Sequence, residues 1–74
     1  MKTLNIVVTE NCELCDKGIK KINLLKYFFN IKEVNIEAGY QQYLLRVPVV
    51  LYKEKVLDEG ILSKTKILKN FIGI

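Results

Sequence analysis

The sequence has no histidine, two cysteines, one proline and no long hydrophobic run. Each shortage closes off a class of protein. Two cysteines cannot build the disulfide framework of a secreted mini-protein. A closed tetrahedral metal site needs four ligands, and without histidine or a third cysteine the pair would have to borrow from a second chain or from outside thiols. No metal site is therefore expected. No stretch approaches membrane-spanning length, and the first eight residues lack the pattern of a secretory signal. The expectation is a cytoplasmic protein in a reducing compartment, where structural disulfides are disfavoured.

Acids are in the minority, with 12 lysines and arginines against 8 acidic residues and a formal charge of +4. The excess is not concentrated. Lys20–Lys21, Lys53–Lys55 and Lys64–Lys66 are short groups interleaved with apolar residues, as on solvated faces. No element carries a basic patch interleaved with aromatics, and Tyr40, Tyr43 and Tyr52 have simpler roles in packing. Neither nucleic acid nor membrane is an expected partner, and a monomer is expected.

What is present is a half-hydrophobic chain of 74 residues with ordinary charge content. That suits a single domain over 1–74 with a modest core. Leu4 to Thr9 reads as a strand buried on both faces. Thr9-Glu10-Asn11 offers a turn, with Asn11 as helix N-cap. Cys12, Cys15, Ile19, Ile22, Leu25 and Phe29 then form one stripe at helical spacing. Gly18 inside that helix implies a close neighbour, since it otherwise costs about 1 kcal/mol relative to alanine. Asn30 is the expected helix terminator. Ile31 to Ile36 alternates as a second strand, parallel to the first by the right-handed crossover rule. Residues 38–45 hold a short helix or an irregular segment. Val47-Pro48-Val49-Val50-Leu51-Tyr52 is a strand opened by proline, Lys53-Glu54-Lys55 a turn, and Val56–Asp58 an edge strand. Ser63 caps a closing amphipathic helix through Ile67, Leu68, Phe71 and Ile72.

The order is β-α-β-(α)-β-β-α. A CxxC at the start of the first helix, a proline before the third strand, a hairpin and a final helix together resemble the thioredoxin fold in its glutaredoxin form. The likeness runs from about Leu4 onward. Cys-Glu-Leu-Cys followed by Asp-Lys, then Arg-Val-Pro-Val-Val and Asp-Glu-Gly, is similar to the short bacterial glutaredoxin-like proteins. The resemblance implies an α/β, thioredoxin-like fold with a four-stranded mixed sheet and helices on both faces. It also implies thiol–disulfide oxidoreductase activity on protein or glutathione-mixed disulfides. Glutathione is then a possible reductant, with no bound cofactor. The alternative is a non-catalytic thioredoxin-like module that binds a protein partner with the same groove.

Disulfide exchange needs a thiolate. Cys12 in the first helical turn lies where unpaired N–H groups and the helix dipole favour negative charge, which makes it the candidate nucleophile. Cys15, on the apolar stripe, is the candidate resolving thiol. Metal ligation shared with another chain and two ordinary core cysteines remain the competing readings. Glu13 and Asp16 favour the neutral thiol by like-charge repulsion, opposed by Lys17. The resemblance implies a cis bond between Val47 and Pro48, and candidate substrate contacts at Leu14, Arg46, Val47 and Pro48. Arg46, and Ser63 with Lys64, are candidates to hold carboxylates. Glutaredoxins carry a threonine where Arg46 stands and a Gly-Gly pair where Glu59-Gly60 stands.

Overall fold

The computed structural model describes residues 2–73. Four strands, β1 (Lys2–Val8), β2 (Phe29–Asn35), β3 (Val49–Tyr52) and β4 (Lys55–Glu59), form one sheet in the order β2-β1-β3-β4. β1 runs parallel to β2 and antiparallel to β3, and β3 is antiparallel to β4. Two α-helices complete the framework, α1 (Glu13–Ile22) and α2 (Lys64–Ile72). The result is a small α/β fold with a mixed sheet.

Alternation along the central strands divides the core in two, as period-two geometry requires. Leu4, Ile6, Val50 and Tyr52 face one side, where they pack with Ile22 of α1, Leu25, Leu57, Leu62 and Ile67 of α2. Phe71 sits between Phe29 and Tyr52, edge to face with each at 5.0 Å between ring centroids. Each such pair adds about 0.5–1.5 kcal/mol beyond area burial. Val7, Val49 and Leu51 face the other side, against Ile36, Tyr40 and Tyr43. Both α-helices thus cover a single face. The second face carries two short 3-10 turns, Ile36–Ala38 and Gln41–Tyr43, in the stretch expected to hold a short helix or an irregular segment, which corrects the expectation of helices on both faces of the sheet.

Several boundaries differ from the sequence reading. α1 ends at Ile22 and passes into a 3-10 segment, Asn23–Tyr27. Phe29 opens β2, opposite Lys2, and does not close the helix; Asn30 lies inside the strand and terminates nothing. Leu25 and Phe29 fit the helical stripe because both reach the same core cluster, one from the 3-10 turn and one from the strand. β3 begins at Val49, two residues after Val47. The hairpin turn is tighter than expected: Tyr52 pairs with Lys55, leaving Lys53 and Glu54 as its two central residues, with φ of 49° and 68°. Ser63 does cap α2, its hydroxyl accepting from the Lys66 N–H at 3.5 Å.

Candidate active site

Strand register brings the chemistry to one end of the sheet. Val7, near the close of β1, pairs with Val49, which pairs in turn with Glu59. The loop into α1, the Arg46-Val47-Pro48 segment and the Glu59-Gly60 turn therefore meet there. The Gly60 N–H donates to the Pro48 carbonyl at 2.9 Å, tying the last two together.

Cys12 and Cys15 are joined in a disulfide, with Cα atoms 5.2 Å apart. Cys12 itself is the N-cap of α1, a correction to the placement of Asn11 there. Asn11 instead takes a left-handed backbone conformation, φ 54°, that turns the chain out of β1; asparagine tolerates this region better than most residues. The shift by one residue matters chemically. Cys12 is extended, and its sulfur accepts the Cys15 N–H at 3.1 Å, in the place of a capping oxygen. A sulfur at the cap receives an otherwise orphaned N–H and the positive end of the helix dipole. Both interactions strengthen when the sulfur is anionic. Cys12 is half-buried, whereas Cys15 is only 2% exposed. One sulfur is within reach of a large substrate and the other is not.

Pro48 is buried and its bond to Val47 is cis. Its ring packs on α1 one turn past Cys15, at Gly18. A Cβ built on Gly18 would lie 3.2 Å from Pro48 Cγ and 2.8 Å from Leu62 Cδ1. The close neighbour implied by a glycine inside a helix is thus the pair Pro48 and Leu62. Val47 is half-buried and Leu14 is exposed beside the cysteines in sequence.

The charged groups at this end are mutually occupied. The Arg46 Nε donates to Glu59 Oε2 at 2.6 Å, with Nη2 on the same oxygen, and the guanidinium lies 5.3 Å from the Tyr43 ring centroid. Asp58 is buried, accepting the Glu59 N–H at 2.9 Å and the Ser63 N–H at 2.8 Å. Lys66 Nζ sits 3.0 Å from its carboxylate. Lys17 meets Glu13 at 3.5 Å across one helical turn, both widely exposed, so the carboxylate beside Cys12 is partly offset. Sequence reasoning brought Arg46 and Ser63 to the site as carboxylate binders. It did not find the Arg46–Glu59 pair, which spans 13 residues and carries no local signal, nor the use of Asp58 as a brace at the start of α2.

Among the described residues no group of three or more candidate metal ligands forms, and no helix is long and apolar enough to cross a membrane. Neither a scan against protein-family models nor a search of curated proteins finds a match for this chain.

Proposed function

We propose that the chain is a thiol–disulfide oxidoreductase of thioredoxin-like, glutaredoxin-like type, cycling between the Cys12–Cys15 disulfide and the dithiol. The observation that carries this reading is the disulfide itself, placed so that the Cys12 sulfur caps α1 while Cys15 is buried one turn on. The sheet order and the CxxC at the mouth of α1 are compatible with that fold. In the reducing direction the Cys12 thiolate attacks a substrate disulfide. One substrate sulfur leaves as a thiolate and takes a proton, and the other stays bonded to Cys12. Cys15 then loses its proton, attacks the Cys12 sulfur and releases the second substrate thiol. Two electrons have passed to the substrate, and the enzyme is left as the disulfide. An external thiol such as glutathione or a dithiol returns it to the reduced form.

The unequal burial supports attack by Cys12 and resolution by Cys15. Leu14, Val47 and Pro48 are the proposed substrate contacts. The test is disulfide reduction coupled to dithiothreitol or glutathione, with wild type against Cys12→Ser. The expected result is loss of turnover in the variant, while Cys15→Ser accumulates a mixed disulfide detectable by intact mass. Equal rates for wild type and Cys12→Ser would favour a binding module that uses the same groove.

A further inference from the structure

The face of the sheet that no α-helix covers holds a cavity with no residue of the dithiol loop in its wall. Its volume is about 350 Å³, within the range of small-ligand sites. Gly39, Tyr40, Gln42, Tyr43, Leu51 and Glu54 line it. They come from the 3-10 turns and their connection, from β3, and from the tip of the β3–β4 hairpin. Leu51 is buried and supplies apolar wall, and Tyr40 and Tyr43 are half-buried against the same core cluster. A Cβ built on Gly39 would meet nothing within 4 Å, so there is open space beside it.

The fold does not use the polar groups of this wall. Among the described residues the two phenols, the Gln42 amide and the Glu54 carboxylate have no hydrogen-bond or ion-pair partner. Glu54 is the one acidic residue in the wall, and neither lysine nor arginine is part of it. Glu54 also holds φ 68°, where glycine is preferred, so a carboxylate is kept at a position the backbone disfavours. Lys53, its neighbour in sequence, is engaged 5.4 Å over the ring of Tyr52, which belongs to the opposite face of the sheet.

Two aromatic rings, a carboxylate and spare acceptors match a planar cation. A guanidinium stacks on aromatic faces, offers five N–H donors and meets a carboxylate with a fork, whereas an ammonium is a point charge. The molecule makes this pairing once itself, with Arg46 stacked 5.3 Å from the Tyr43 ring centroid and bonded to Glu59. Tyr40 has no cation over its ring among the described residues. The net charge of +4 opposes a cation at long range, but physiological salt screens that repulsion beyond about 8 Å. We infer that this cavity binds a guanidinium group on a short apolar stem, with Glu54 as counter-ion, Tyr40 as stacking platform and Leu51 beside the stem. The site is separate from the dithiol and does not rest on the oxidoreductase reading.

Four probes are titrated into the isotope-labelled protein and followed by amide chemical shifts. They are butylguanidinium, its neutral isostere butylurea, butylammonium, and a blocked pentapeptide with one central arginine among alanines. Butylguanidinium should shift the amides of Gly39, Tyr40, Gln42, Tyr43 and Glu54, with a Kd of about 0.1–1 mM. Butylurea should bind about tenfold more weakly, and butylammonium about threefold. Glu54→Gln should raise the Kd for butylguanidinium about five- to tenfold, and Tyr40→Leu about two- to fivefold. Tyr40 also packs on the core, so Glu54→Gln, at an exposed turn position, and the butylurea comparison decide the matter if Tyr40→Leu fails to fold. Peptide binding as tight as that of butylguanidinium makes a protein arginine the source of the group. Binding of the free cation alone makes the source a small guanidinium compound, and both results uphold the site. Equal affinity for butylguanidinium and butylurea or butylammonium, indifference to Glu54→Gln, shifts centred elsewhere, or no shifts at all overturn the inference.

Discussion

Gly18 links the stability of α1 to the geometry of the site. Alanine there would gain up to about 1 kcal/mol of helix propensity. Its methyl, however, would press on the buried Leu62 side chain at 2.8 Å and on the rigid Pro48 ring at 3.2 Å. Overpacking of this kind costs about 1–3 kcal/mol. Steric cost wins, and Gly18→Ala is expected to destabilise the protein by about 1 kcal/mol in urea unfolding. The mechanism is tested by a double-mutant cycle with Leu62→Ala. Truncating Leu62 alone should cost about 2–5 kcal/mol, and the pair should cost less than the sum, because the new methyl fills the space that leucine vacates. Additive effects would show that the crowding is relieved elsewhere. Because Pro48 shares the contact, the proposed function adds that Gly18→Ala should slow disulfide exchange out of proportion to its effect on stability.

At the level of elements, the β3–β4 hairpin is where local sequence and backbone disagree. Lys53 and Glu54 both hold positive φ, the arrangement of a type I′ turn, in which Asn-Gly is preferred and a side chain is strained by about 1–2 kcal/mol. Glu54→Gly should therefore stabilise the fold by about 0.5–1 kcal/mol, the gain being reduced by the larger entropy of glycine in the unfolded chain. For a domain of this size that raises Tm by about 4–8 °C per kcal/mol, within reach of calorimetry. A fall in Tm would mean that the glutamate side chain makes a compensating contact. The same hairpin shows what the sequence discloses and what it hides. Its existence was legible, because two apolar runs flank a polar triplet. Its turn type was not, since neither central residue advertises positive φ. Likewise the dithiol, Pro48 and the Ser63 cap were readable from residue type and order. The end of α1 was not readable, because Leu25 and Phe29 keep helical spacing while reaching the core from other elements. The N-cap slipped by one residue because Asn11 and Cys12 both suit a helix start. Only the left-handed turn at Asn11 decides that the sulfur takes the cap.

Across the whole molecule, the end of the sheet opposite the dithiol gathers residues from distant parts of the chain. Tyr52 closes β3 there, with Lys2 from the start of β1 at 5.9 Å and Lys53 at 5.4 Å from its ring centroid, and Phe71 of α2 against its side. Burial pushes the Tyr52 phenol up, but hydrogen bonding and attraction from Lys2 and then Lys53 outweigh it, and the group ionises below its ordinary value. The sign of the stability effect follows. Between the lowered folded pKa and the unfolded value of about 10, the unfolded chain still holds a proton that the folded one has released, so stability rises with pH across that window. The contribution is complete above the unfolded pKa, and it is absent below the folded one, at neutral pH. An ultraviolet titration of tyrosinate should thus show an early step that disappears in Tyr52→Phe and moves to higher pH in Lys2→Met. Because Lys2 reaches Tyr52 only through the pairing of β1 with β3, guanidinium unfolding should erase the same step. A step that survives in denaturant would trace the shift to the neighbouring Lys53 alone, and not to the assembled sheet.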